Sequence, residues 1–372
     1  MNEPEMQPAL ALNPFDPKQP FNSLPPIPTL ADLETPAALK RSTKAQVALA
    51  ELREAGNRLP DQTFLVRALQ IQEAKQSSEI ENIVTTNDAL YAALDDTRAV
   101  ADPATREVLH HSDAIWCGYE QLRQGRPISP SMIVKVASVI TQTDTGVRTM
   151  PGTVIANSAT GQVVYTPPVG KERILHLLGR LCDFLDQEEG ADPIIKMAAG
   201  HYQFEAIHPF HDGNGRTGRV LNMLYLMQAG LIHVPTLYLS RPILASKPDY
   251  YRLLRGVTEQ GDWAAWVEYM VEVTAVAAED ALRRIRTILQ VMESVEQRAR
   301  EGMRRGFSKE LIELVFRLPY TRIQNVEHAG IAKRDTASAY LRELERLGIL
   351  VSTKRGRDVL FLNEPYLRAL ID

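Results

Sequence analysis

Cysteine is scarce: Cys117 and Cys182 are the two among 372 residues. They lie far apart and in no CxxC or metal-ligand spacing, which excludes a disulfide framework and a thiolate zinc site, so free thiols in a reducing compartment are expected. Net charge is also missing. At −4, with a pI near 6.1, the chain carries no global field toward nucleic acid or an anionic membrane, although a local patch is allowed. Long apolar runs are absent as well. The most apolar stretch, residues 220–239, is broken by Asn222, Gln228, Gly230, His233 and Pro235 and reads as a buried helix with its exit, too interrupted to span a bilayer. The opening MNEPEMQPAL has acids and prolines where a secretion signal needs basic and then apolar residues, so the cytoplasm is the expected location and no membrane partner is expected.

What is present begins with proline. Nine prolines at 4, 8, 14, 17, 20, 25, 26, 28 and 36 leave no room for a helix or central strand, so residues 1–35 are expected as an extended arm. Apolar residues then recur at helical spacing, as in Leu39, Val47, Leu49, Leu52 and again Phe64, Leu65, Ala68, Leu69, Ile71. The run TVIANSATGQVVYT at 153–166 breaks that pattern with β-branched residues around a turn and predicts a hairpin. Helical patterning returns at 171–185 and 194–207, restarts after the glycines near 213, and continues from Trp263 to about Arg298. Gly302 and Gly306 mark a boundary. Beyond it, helices at 309–317, 321–327 and 333–347 and strands at 349–353 and 358–362 follow the winged-helix order. The expected division is 1–35 arm, 36–110 N-terminal helices, 111–300 core and 301–372 winged helix, in a mainly α fold.

Residues 208–219 read HPFHDGNGRTGR. A loop of small residues lets backbone N–H groups approach an anion, and a helix starting behind it adds its positive end. Arg216 and Arg219, three apart, share a helix face and can grip neighbouring phosphates. Asp212 is a hard oxygen ligand suited to Mg²⁺, and His208 is the side chain best placed to take a proton. GNGRTG satisfies G-x-G-x-x-G, but a helical pattern precedes it and no acid follows about twenty residues on, against a dinucleotide fold. No Gly-Lys-Ser/Thr closes a P-loop. His201, His208, His211 and Asp212 lack the spacing of a zinc helix.

The run resembles the signature of the Fic family, HxFx(D/E)GNGRxxR, with His208, Phe210, Asp212, Gly213, Asn214, Gly215, Arg216 and Arg219 filling every fixed position. The resemblance extends over roughly residues 36–290, with the hairpin as the family's flap and a downstream segment holding Tyr250 and Tyr251. It implies a Fic-type helical bundle and transfer of AMP from ATP to a Ser, Thr or Tyr hydroxyl of a target protein. His208 is then the base. Pro209, Phe210, His211, Asp212, Gly213, Asn214, Gly215, Arg216, Arg219, Tyr250 and Tyr251 form the expected nucleotide-binding set, with Asp212 on Mg²⁺, Asn214 and the loop N–H groups cradling charge, and the arginines on the β- and γ-phosphates. Phe210 itself reads as the core anchor of the loop. The flap, 153–166, implies a main-chain docking edge for the target. Gly215 stands where a Doc-type kinase relative has lysine, which argues against γ-phosphate transfer.

Upstream, Ser77, Glu81 and Asn82 resemble the family's inhibitory motif, (S/T)xxxE(G/N). The resemblance implies that Glu81 pairs with Arg219 in the γ-phosphate's place; in some relatives the same glutamate helps remove AMP, so a bifunctional enzyme stays open. Self-modification is expected. In the C-terminal unit, Lys333, Arg334, Arg342, Arg346, Lys354, Arg355 and Arg357 suit DNA backbone contact, diluted by Asp335, Glu343 and Glu345. A protein-contact or dimerisation role competes with DNA there, and a nucleotide-sensing DNA-binding regulator is the alternative reading of the whole chain.

Overall fold

Proline is tolerated at the first position of a helix, where its missing N–H has no partner to lose. The computed structural model, which describes residues 15–59, 62–95, 102–144, 146–157, 160–187, 190–355 and 358–371, uses it there repeatedly. After a single turn, α1 (Leu30–Leu33), helix α2 (Pro36–Asn57) begins behind Thr35, whose hydroxyl accepts from the Ala38 N–H at 3.1 Å. Then come α3 (Gln62–Ile80), α4 (Asn87–Asp95), α5 (Pro103–Arg123) and α6 (Pro130–Thr141), the last two capped by Asp102 and Ser129. A hairpin, β1 (Ile155–Ala156) with β2 (Val163–Tyr165), leads to α7 (Lys171–Asp186) and α8 (Pro193–Ile207). Asp192 caps α8 through the N–H groups of Ile194 and Ile195 and also accepts from Ser42 and Gln46, which ties α8 to α2.

Residues 194–207 are all buried, so α8 is the centre of the bundle. It packs on α9 (Asn214–Gln228), with α2 and α7 on one partner and α3, α5 and α6 on the other. The short α10 (Ser240–Ala245) packs on α3, α11 (Lys247–Gln260) borders the site cavity, and α12 (Trp263–Gly302), 40 residues and about 60 Å long, runs along α2 and α8 toward the C-terminal unit. Among the described residues no helix is long and apolar enough to cross a membrane.

That unit comprises α13 (Lys309–Val315), β3 (Tyr320–Thr321), α14 (Ile323–His328), α15 (Arg334–Arg346), β4 (Val351–Arg355), β5 (Asp358–Leu362) and α16 (Glu364–Ile371). The expected helix and strand order is present, with two additions. Strand β3 joins β5, pairing Tyr320 with Leu362, to give the order β3-β5-β4. Helix α16 folds back onto α12 and α3: Arg284 Nη1 donates to the Leu370 carbonyl at 2.6 Å, and Tyr366 is fully buried. Tyr320 Oη also reaches Asp88 Oδ1 at 2.5 Å. The wing residues 356 and 357 lie outside the described residues.

The expected arm needs correcting. Residues 1–14 lie outside the described residues, but 15–35 are not a free extended segment. The gap between Pro28 and Pro36 is wide enough for the turn of α1, anchored by buried Leu33. Phe21 N–H donates to the Thr166 carbonyl at 2.9 Å, Thr166 Oγ1 donates to the Pro17 carbonyl at 2.6 Å, and Phe15, Phe21 and Tyr165 form an aromatic cluster. The apolar residues between the prolines dock this segment against the base of the hairpin.

Candidate active site

Helix α8 ends at Ile207, and His208 stops it by entering the left-handed region at φ 47°, ψ 60°. A residue with a Cβ resists that conformation by about 1–2 kcal/mol, so something has to hold it. Arg148 does. Its guanidinium, buried between hairpin and bundle, donates from Nε to the His208 carbonyl at 2.7 Å and from Nη2 to the carbonyls of Ile207 and Pro168, while its own N–H reaches the Pro209 carbonyl at 2.9 Å. Tyr165 Oη donates to the Ala206 carbonyl at 2.8 Å, a second tie from hairpin to helix end. Burial, and then the positive charge of Arg148, push the His208 imidazole down to about 4. The ring is therefore neutral at physiological pH and able to accept a proton.

The loop after it is braced from inside. Asn214 accepts from the Phe210 N–H and donates to the Phe210 carbonyl, both at 2.8 Å, and the Phe210 ring is buried beside Phe204. Gly213, at φ 74°, caps α9 with its N–H on Asp212 Oδ1 at 2.7 Å. The first-turn N–H groups of α9, from Asn214, Gly215 and Arg216, have no helical carbonyl behind them and face outward as an anion cradle.

A carboxylate stands beside those groups. Glu81, just beyond α3, puts Oε1 2.7 Å from Arg219 Nη2 and Oε2 3.2 Å from Arg216 Nε. Arg219 also donates to Ser77 Oγ at 2.7 Å and to the Ser77 carbonyl at 2.9 Å. Gly215 makes room, since a Cβ there would stand 2.6 Å from Glu81 Oε1. Asn82 turns the chain away at φ 65° and accepts from Lys247 Nζ at 3.3 Å. Burial works against the charge of Arg219, but Glu81, with smaller contributions from Tyr250 and Glu205, holds its pKa above the ordinary value.

Several buried titratable groups surround this pair. Burial pushes Glu205 up to about 7, with Arg219 opposing and Glu81 reinforcing, and pushes Glu73, which accepts from the Ser240 N–H and hydroxyl, up to about 7 as well. Burial and the charge of Arg219 push His201 down to about 3; its Nε2 sits 2.9 Å from the hydroxyl of buried Tyr250. His111 is held well below the ordinary range by burial and then by Arg219 and Arg216. A protonated histidine is disfavoured here first by burial and then by the arginine charges, and those same charges suit the site to an anion.

A cavity of about 1060 Å³ opens beside these groups. Of the expected set, His208, His211, Asp212, Gly213, Asn214, Gly215, Arg219, Tyr250 and Tyr251 line it, together with Glu81 and Asn82. Pro209, Phe210, Arg216 and Ser77 are not among its lining residues: Pro209 and Phe210 hold the loop, Arg216 is buried beside Glu81, and Ser77 braces Arg219. The side chain of Asn214, expected to cradle charge, is taken up by the loop backbone, so its own N–H is what it can offer a ligand. Asp212 is a single, mostly exposed carboxylate; among the described residues no cluster of three potential ligands could hold a metal alone. One carboxylate plus a nucleotide's phosphates is nonetheless a normal Mg²⁺ environment. Arg148 and Glu107 reach the site from distant segments, whereas Glu205 sits one turn before His208 on α8, just outside the motif.

Three family models match the chain: "Fic/DOC family N-terminal" over residues 39–120, "Fic/DOC family" over 127–226, and "Protein adenylyltransferase SoFic-like, C-terminal domain" over 291–366. The chain is built from Fic/DOC family domains. Curated relatives include the protein adenylyltransferase fic-1 of Caenorhabditis briggsae, 36% identical over 107 residues, 28% of this chain and 20% of that protein. The protein adenylyltransferase Fic of Drosophila willistoni is 32% identical over 112 residues, 29% and 20% of the two chains. The match thus spans about a fifth of the length of these relatives. Among solved structures, a Fic family protein from Desulfovibrio desulfuricans G20 superposes at a TM-score of 0.58 and 21% identity, covering 91% of this chain and 98% of its own. Fic-1 (aa134–508) from C. elegans gives 0.51 and 22%, covering 70% and 75%. These similarities show the fold.

Proposed function

We propose that this Fic/DOC protein transfers AMP from ATP to a Ser, Thr or Tyr hydroxyl of a protein and that Glu81 restrains the transfer. The reading is carried by one observation: a carboxylate lies across both motif arginines, over the start of α9, at a glycine that leaves room for an anion. Phosphate oxygens would take the same place. With Glu81 withdrawn, Arg219 and the first N–H groups of α9 receive the β- and γ-phosphates, and Asp212 together with those phosphates would hold Mg²⁺, whose charge would offset theirs. The target hydroxyl loses its proton to neutral His208 as its oxygen bonds the α-phosphorus; the bond from that phosphorus to pyrophosphate breaks and pyrophosphate leaves.

The exposed hairpin, with Val154 half out in solvent, offers an edge for an extended target segment. Two free thiols, Cys117 and Cys182, fit a reducing cytoplasm. The test incubates wild type, Glu81→Gly and His208→Ala with ATP labelled at the α- or γ-phosphate, alone and with lysate. Label from the α position only, raised in Glu81→Gly and lost in His208→Ala, is the expected result. Label from the γ position makes the protein a kinase. No label in any variant, with a salt-sensitive gel shift, makes it a DNA-binding nucleotide sensor.

A further inference from the structure

The two motif arginines are held by different parts of the molecule. Among the described residues, the guanidinium of Arg219 hydrogen-bonds to the brake segment: Nε to Ser77 Oγ, and Nη2 to the Ser77 carbonyl and to Glu81. Arg216 differs. Its Nε lies 3.2 Å from Glu81 Oε2 but is not aligned as a hydrogen bond, whereas Nη1 donates to Glu107 Oε2 at 3.0 Å. Nη2 stands 3.6 Å from Asp212 Oδ2. Glu107 belongs to α5, which packs directly on α9 and does not carry the brake.

Withdrawal of the α3 end therefore strips Arg219 of those partners and leaves Arg216 still anchored. A planar guanidinium fixed at one edge by a charge-assisted hydrogen bond keeps its plane and presents its remaining N–H groups in a set direction. His111, one turn along α5 from Glu107, stays neutral beneath the arginines and leaves Glu107 as the charge on that helix facing Arg216. We propose that Glu107 is a positioning residue: it holds Arg216 aimed at the phosphate chain of ATP whether or not the brake is engaged, so that Arg219 alone is switched. This rests on the adenylyl-transfer reading above.

The experiment compares Glu81→Gly with Glu81→Gly/Glu107→Gln and Glu81→Gly/Glu107→Ala, measuring ATP and AMP affinity by calorimetry, AMP transfer with its KM for ATP, and thermal melting. Glu107 is 41% exposed, so its loss is compatible with folding. The expected result is ATP bound roughly tenfold more weakly and KM raised to match, with AMP affinity unchanged, since AMP lacks the phosphates that Arg216 would meet. Unchanged ATP affinity overturns the proposal, and so does an equal loss for ATP and AMP, which would mean that Glu107 merely supports α5. If Glu81→Gly itself neither binds ATP nor transfers AMP, the functional reading fails first and takes this inference with it.

Discussion

Arg219 in α9 and Arg342 in α15 are the same side chain in opposite settings. Arg219 is 2% exposed, carries its charge among Ser77, Glu81, Tyr250 and Glu205, and lines a cavity. Arg342 is half in solvent, shares its charge with Glu345 three residues on, hydrogen-bonds Ser352 and lies 5.2 Å from the Phe361 ring. Arg346 likewise pairs with Glu343 and reaches the Gly302 carbonyl. Burying a charge is expensive unless something in the site requires it, whereas an exposed pair costs and contributes little. The contrast separates a region arranged around an anion from one whose arginines fasten α15 to its own strand and to α12.

The largest effect that would sharpen this contrast is in Glu81→Gly, which should raise AMP transfer on the order of a hundredfold, about the 3 kcal/mol that two charge-assisted contacts represent. A rise under threefold in labelled self-modification would remove Glu81 from control. Next is Tyr366→Ala in the C-terminal unit, where a fully buried ring packed beside Phe316 is lost; stability should fall by about 3–5 kcal/mol by urea titration. A loss under 1 kcal/mol would show that α16 is not integral to the fold.

Glu205 probes the buried charges through pH. Its carboxyl keeps a proton in the folded chain up to about 7, while in the unfolded chain it ionises near 4.5. The folded state thus holds more protons between those values, and stability is present below about pH 4.5 and declines as pH rises through 7. Glu205→Gln removes that decline, so the loss of unfolding free energy from pH 5 to pH 8, measured by urea titration, should shrink relative to wild type by up to about 3 kcal/mol. An identical drop would mean that Glu205 does not stay protonated. The smallest effect belongs to Arg342→Ala, expected to cost under about 1 kcal/mol and to leave AMP transfer unchanged. A large loss of activity there would erase the division between the two regions.

The contiguous parts of the site were legible because chemistry and spacing sit in one run: the loop at 208–219 and the helices that flank it stand where the pattern put them. The pairing of Glu81 with Arg219 followed from a resemblance, since no periodicity links residues so far apart. Arg148 could not be foreseen; nothing in VRTMPG says that an arginine is swallowed to hold the end of another helix. Glu107 belongs to no motif, and nothing around it in the sequence points to an arginine 109 residues on. Strand β3 has two residues and α16 eight, too short for periodicity to register. Prolines misled in one respect, since the spacing that forbids a long helix in the arm left room for α1.

Gly215 serves two masters. Its missing side chain gives Glu81 its seat 2.6 Å from where a Cβ would be, and under the proposed function it would also give phosphates their approach to α9. A lineage that placed any larger residue there, lysine included, would lose its restraint in the same mutational step that altered its chemistry. Under the proposed function, descendants of this sequence that drift toward another transfer reaction would first have to survive as unrestrained enzymes or have already discarded the glutamate, so the contact with Glu81 would itself guard the loop against change.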